Sequence, residues 1–197
     1  MRIKYPHKHQ ESGFALLMTL IVVGVIISIG LSVLDLSIKQ IRLSTNAKDS
    51  EIAFHAANGG LECAQYWRRA SSSQMERGVA IAPECFSETP DTNTVVEITD
   101  DVTGDGEVFQ YEYEFTWGDA GDTRCTQINT LVASSTALGS GTTIGNMTNL
   151  VPGYPDGVDK FCEAGARCSV VSVQGYNRPC ATANGFGTVQ REVLLQF

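Results

Sequence analysis

Residues 14–34 read FALLMTLIVVGVIISIGLSVL: 21 positions from Phe14 to Leu34 without a charge, with Glu11 before them and Asp35 after. About 20 apolar residues in a helix match the roughly 30 Å of hydrocarbon in a bilayer. The only polar side chains in the run are Thr19, Ser28 and Ser32, whose hydroxyls can bond back to helix carbonyls. The run is therefore expected to span a membrane at some stage.

What precedes the run is as informative as the run itself. A secretory signal peptide carries a small-residue cleavage site after its apolar core and loses that core. Here a short polar leader, MRIKYPHKHQESG, ends in Gly13 directly before Phe14, and no A-x-A site follows the apolar residues. At Ser12-Gly13-Phe14 the chain resembles the type IV prepilins. In that family a dedicated peptidase cuts after the glycine on the cytoplasmic side and methylates the new terminal amine. The apolar helix is kept and becomes the packing core of a filament. The resemblance implies cleavage after Gly13 and a mature, N-methylated Phe14, with residues 1–13 as leader.

The fifth mature position departs from the family pattern. Major pilins carry Glu there, where it is thought to meet the terminal amine of a neighbouring subunit, and this chain has Met18. The same departure occurs in minor pilins and in pseudopilins at a filament tip. The resemblance thus points to a minor or atypical subunit. Its expected partners are other pilin subunits through the helix, the prepilin peptidase and membrane lipid. The alternative is a single-span anchor that carries an extracytoplasmic ligand-binding or adhesion domain and never polymerises.

Charge bounds the partners further. The chain holds 14 Lys and Arg against 22 Asp and Glu, a formal −8. Without Arg2, Lys4, Lys8 and Glu11 of the leader, 11 basic residues face 21 acidic ones, or −10. So acidic a chain is a poor general binder of nucleic acid, which needs clustered Lys and Arg. The basic leader favours a cytoplasmic N-terminus under the positive-inside rule, which puts the remainder outside. All six cysteines, Cys63, Cys85, Cys125, Cys162, Cys168 and Cys180, lie beyond the apolar run. An even count in an exported domain reads as three disulfides, with 15 connectivities open.

Beyond Asp35 no proline interrupts the chain until Pro83. Leu34, Ile38 and Ile41, then Ala53, Ala56, Gly60, Cys63 and Trp67, recur at helical spacing, with Lys39, Arg42, Lys48, Asp49 and Glu51 between them. That pattern predicts an amphipathic helix over 35–69 continuing the apolar one. Residues 53–62, AFHAANGGLE, are similar to the AFxAAexG text near the end of this helix in pilin-like proteins. Gly59 and Gly60 each weaken a helix by about 1 kcal/mol relative to Ala and suggest a bend or a close helix–sheet contact. His55 has no partner at ligand spacing and reads as a surface residue.

At Ala70–Ser73 the composition shifts, and residues 70–197 read as a β-rich, disulfide-tethered head. Val108 to Trp117 (VFQYEYEFTW) puts Phe109, Tyr111, Tyr113 and Phe115 on one face and Gln110, Glu112 and Glu114 on the other. Such alternation marks a strand with one buried face. Further strands are expected at 94–99, 168–174 and 188–197, with a hairpin connection over 100–106 and a long, disulfide-tethered loop region over 125–167 that has room for a short hairpin. The fold class is α+β: a long N-terminal helix packed on an antiparallel sheet, the pilin-like layout. From spacing alone, the disulfides are assigned as Cys63–Cys85, Cys168–Cys180 and Cys125–Cys162.

Chemistry has few candidates. Asp101, Thr103, Asp105, Gly106 and Glu112 follow the calcium loop D-x-[DN]-x-[DN]-G-x5-E except for Thr103. The flanking residues read as strands, so an acidic solvated turn is favoured over calcium and no metal is assigned. No G-x-S-x-G, H-E-x-x-H, C-x-x-C or phosphate-cradling glycine loop is present. The expectation is an interaction protein, without a cofactor, and not an enzyme.

Overall fold

A computed structural model describes residues 12–197, so most of the leader lies outside the described residues. The chain divides into two units, one reaching Asn46 and one from Ala47 to Phe197. Helix α1 runs Ser12–Ala70. From Gly13 to Asn46 its residues are exposed without cover; Phe14 is 68% exposed. Within this part the polar residues serve the helix itself: the Thr19, Ser32 and Ser37 hydroxyls donate to the carbonyls of Leu16, Ser28 and Val33, and Lys39 pairs with Asp35 at 2.8 Å.

The second unit is an α+β head. Strands β1 (Thr92–Glu97), β2 (Val102–Gly104), β3 (Gly106–Trp117), β4 (Arg124–Ser135), β5 (Thr142–Ile144), β6 (Lys160–Cys162), β7 (Arg167–Tyr176) and β8 (Gln190–Gln196) make two sheets. The larger sheet is antiparallel in the order β1-β3-β4-β7-β8, and the smaller is β2-β5-β6. One-turn helices α2 (Ser72–Met75) and α3 (Met147–Leu150) complete it.

Residues 47–70 of α1 pack on the inner face of the larger sheet. The alternation in β3 operates as expected: Tyr111, Tyr113 and Phe115 are buried with Ile128 and Val132 of β4 and Val171 and Val173 of β7. Small residues line the helix side, and Ala53, Ala56 and Ala57 have no exposed surface. A Cβ on Gly60 would lie 2.7 Å from Val173 Cγ1, so Gly60 permits a close helix–sheet contact. On the sheet side, a Cβ on Gly175 would strike the backbone of Ala53 and Ala57. The Thr126 hydroxyl, accepting from Trp117 Nε1 at 2.9 Å, donates to the Ala56 carbonyl at 3.1 Å.

The end of α1 is held by charge. Arg68, 6% exposed, donates to the Ser169 hydroxyl at 2.7 Å and to Glu76 at 3.2 Å, and Glu76 also accepts from Arg167 at 3.2 Å. The Tyr111 hydroxyl lies 3.0 Å from the Met75 carbonyl and 3.2 Å from that of Val79. Burial pushes its phenol up to about 12.

Several sequence expectations need correction. The region 125–167 is not a loop: β4 occupies its first part and is the central strand, paired along its length with β3 and β7. Its inner face is buried, and its outer face is buried at Leu131 and Ala133 and half-buried at Gln127 and Asn129, so its apolar residues do not keep a simple period of two. The 100–106 connection does link two paired strands, but β2 within it belongs to the smaller sheet.

The disulfides are Cys63–Cys85, as assigned, with Cys125–Cys180 and Cys162–Cys168 in place of Cys168–Cys180 and Cys125–Cys162. Cys168 opens β7 and Cys180 follows its far end. Eight residues from Cys168 to Tyr176 extend about 27 Å at 3.3–3.4 Å each, far beyond the reach of a disulfide. The antiparallel register instead puts Cys125 opposite Tyr176, and the turn after β7 brings Cys180 back to it with a Cα separation of 4.7 Å. Cys162 ends β6, and Cys168 is close by at 5.9 Å between Cα atoms.

Candidate functional site

Two surfaces stand out: the apolar segment of the first unit and a polar groove on the head. Gly13 and Phe14 lie in the first turns of α1, and Met18 is one turn further on. Phe14, Leu16, Leu20, Ile26, Ile29 and Leu31 are all mostly exposed. A side chain built at Gly13, Gly24 or Gly30 would meet nothing within 4 Å. This part of α1 is long and apolar enough to cross a membrane, which is consistent with a single-pass anchor. In water such a surface would be strongly unfavourable, at about 25 cal/mol for each Å² of apolar area. Lipid or other apolar helices would cover it.

The calcium-loop residues are not brought together. Asp105 turns to the 136–141 loop, where its carboxylate accepts from the Ser140 amide at 3.1 Å and the Ser140 hydroxyl at 3.3 Å. Asp101, in the left-handed region at φ 61°, accepts through its carbonyl from Gly145 at 2.7 Å. Glu112 lies six residues beyond Gly106 in β3, about 20 Å along an extended strand. It faces Asn129 and Thr94 across the sheet. Among the described residues no three His, Cys, Asp or Glu side chains are placed to hold a metal ion. His55 lies on the helix surface 3.7 Å from Glu51.

The outer face of the larger sheet changes character along its strands. Val108, Leu131, Ala133 and Val170 form a second apolar core beneath Ile144, Met147, Val151 and Tyr154. Two residues further along β3, cover ends and polar rows begin. In register, one row is Thr94, Glu112, Asn129 and Ser172; the next is Thr92, Glu114, Gln127, Gln174 and Glu192. Apart from Glu192, these rows floor a groove of about 350 Å³, flanked by Pro152.

The floor is a hydrogen-bonded lattice. Glu112 accepts from Gln110 at 3.1 Å, from Asn129 at 3.3 Å and from the Thr94 hydroxyl at 3.5 Å. Gln110 and Asn129 also donate to the Leu150 carbonyl, which ties α3 to the sheet. Glu114 accepts from Gln127 at 2.7 Å, and Glu192 accepts from Ser172 at 2.8 Å. The Tyr176 hydroxyl lies 3.0 Å from Gln127 Oε1 and 2.9 Å from Gln174 Oε1. Burial, then the charges of Glu192 and Glu114, push its phenol up.

Sequence reasoning placed Glu112 and Glu114 on the polar face of a strand but did not find the groove. Its partners come from β4 and β7, and the first of those strands was read as loop. No protein-family model, curated protein or solved structure matches this chain.

Proposed function

We propose that this chain is a minor or atypical type IV pilin-like subunit, made as a membrane-anchored precursor, cut after Gly13 and assembled into a surface filament. The observation that carries this reading is the junction of Ser12-Gly13-Phe14 with a 21-residue uncharged run, which starts the helix whose later residues, 47–70, pack on the head. Retaining an uncovered apolar segment makes sense where it exchanges lipid for like helices. Without a hydrophobic contrast between helix and lipid, that exchange would rest on close packing, for which Gly24 and Gly30 leave room. The function is assembly: the leader holds the N-terminus in the cytoplasm, the head lies outside, and the helix joins the filament core.

Mass spectrometry of the membrane-extracted chain tests the reading. A species beginning at N-methylated Phe14 is expected. An intact leader on the mature protein would instead assign a single-span anchored domain that does not polymerise.

A further inference from the structure

The dipeptide Asn-Gly occurs twice in the chain, at Asn58-Gly59 and at Asn184-Gly185. It carries a chemistry of its own. The amide nitrogen that follows an asparagine can attack that residue's side-chain carbonyl, and glycine, without a Cβ, crowds the approach least. The fold puts the two copies in opposite surroundings. Asn58 and Gly59 lie inside α1 and are both half-buried, and a Cβ on Gly59 would lie 2.9 Å from the Phe86 ring. Helical hydrogen bonding directs the Gly59 amide to the carbonyl four residues back, away from the Asn58 side chain.

Asn184 and Gly185 instead occupy the connection from β7 to β8, outside any helix or strand, and both are exposed. The next residue, Phe186, is fully exposed. The turn is anchored on both sides: Ala183 is buried with Cys125 and Tyr176, and Thr188 donates its amide to the Gly185 carbonyl at 3.3 Å. The Gly185 amide donates to the Thr182 carbonyl at 2.9 Å. Freeing that amide requires only the opening of an exposed turn, whereas freeing the Gly59 amide requires unwinding a helix packed on the sheet. Exposed turns open at far lower cost than packed elements.

We propose that Asn184 is a site of spontaneous, backbone-assisted deamidation, and that the helix protects Asn58 from the same reaction. The Gly185 nitrogen bonds to Asn184 Cγ, the Cγ–Nδ2 bond breaks, and ammonia leaves with the proton given up by the Gly185 amide. Water then opens the resulting succinimide at either of its carbonyls, leaving an aspartyl or an isoaspartyl residue at position 184. Water is the only co-reactant. Each product adds a negative charge to a loop in which the Arg178 guanidinium lies beside Gly187. The isoaspartyl form also lengthens the backbone two residues before Phe186. The reaction belongs to the head and does not depend on whether the chain enters a filament.

The test is peptide mapping by mass spectrometry of the full chain, aged in neutral detergent micelles in warm, mildly alkaline buffer. The Asn184 peptide should convert to two products of equal mass that separate by chromatography, one aspartyl and one isoaspartyl. The Asn58 peptide should convert at least about tenfold more slowly, as a packed helix requires. After reduction and unfolding in urea, the two peptides should convert at similar rates, because the dipeptides are the same. Gly185→Ala should slow conversion at Asn184 about tenfold by placing a Cβ beside the attacking nitrogen. The proposal is overturned if Asn184 in the folded chain converts no faster than Asn58, or if Asn58 stays protected in urea. It is also overturned if only the aspartyl product forms, which would mean direct hydrolysis, or if the Gly185 variant converts as fast as the parent.

Discussion

Arg68 Nε donates to the Ser169 hydroxyl at 2.7 Å, joining the last turn of α1 to the start of β7 across 101 residues of sequence. Its other contact, Glu76, is also buried. Removing Arg68 leaves the buried Glu76 carboxylate with only the largely exposed Arg167, at 3.2 Å, a loss of up to about 3 kcal/mol. Arg68→Ala should lower head stability by about that amount in urea unfolding. Arg68→Ala combined with Glu76→Gln should recover part of it, because the buried carboxylate left with only the exposed Arg167 is gone. Equal losses in the single and double variants would show that the pair contributes only packing.

Gly175 and Gly60 face each other's elements with different tolerances. At Gly60 an added methyl meets the side chains of Thr126 and Val173, which can shift; at Gly175 it meets helix backbone, which cannot. Overpacking of this kind typically costs about 1–3 kcal/mol. Gly175→Ala should fall at or above the top of that range and Gly60→Ala nearer the bottom. Thermal unfolding of the two variants decides the order.

The covalent links differ in the chain they close. Cys125–Cys180 spans 55 residues and Cys162–Cys168 spans 6. In the chain-entropy account, the longer loop stabilises by about 2 kcal/mol more. Replacing both cysteines by serine should thus cost more for Cys125 and Cys180 than for Cys162 and Cys168. Non-reducing peptide mapping checks the connectivity itself, and a peptide joining Cys168 to Cys180 would refute it.

The buried phenols set an alkaline limit. Tyr111 is raised to about 12 and Tyr113 also upward, both mainly by burial. An unfolded chain ionises these phenols near 10, so above that pH the unfolded state binds fewer protons than the folded one. Their contribution is complete below pH 10 and is lost as pH rises from 10 through 12. Guanidinium melts at pH 9, 10 and 11 should show stability falling only over the upper interval. Tyr111→Phe should reduce the slope, with a separate loss from its hydroxyl's contacts with the Met75 and Val79 carbonyls.

How far the fold was legible depended on how many faces an element buries. The first half of α1 has one composition throughout, and β3 has one apolar and one polar face, so both announce themselves by period. Strand β4 buries its inner face and part of its outer one, uses Thr126 and Thr130 on the inner face, and lacks a one-residue-in-two signature. Missing it left Cys125 in a supposed loop and misassigned two disulfides. Arg68 was equally silent: Arg68 and Arg69 end the helix in sequence, and only the fold shows that the first is buried against Ser169 and Glu76. The groove needed long-range register, since its lining takes residues from four strands.

Met18 bears on how the proposed subunit would assemble. In the prepilin resemblance its position is the fifth after cleavage, where major pilins carry a carboxylate to meet a neighbour's terminal amine. A thioether cannot accept that charge, so a methylated Phe14 amine entering an apolar helix bundle would lack a paired anion from this chain. An unpaired buried charge costs several kcal/mol, enough to disfavour rows of identical subunits. A neighbour that supplies its own Glu could still receive this chain at intervals or at an end. Expressed as the sole pilin, the chain should give no long filaments by electron microscopy. Beside a major pilin carrying that Glu, it should appear sparsely or at a filament tip by immunogold labelling of the head. Met18→Glu should increase its incorporation, provided that Gly13 is cleaved; Gly13→Leu should leave full-length precursor in the membrane and abolish incorporation. Long homopolymers of the parent chain would remove the basis for calling it a minor subunit, and normal maturation of the Gly13 variant would remove the prepilin reading itself.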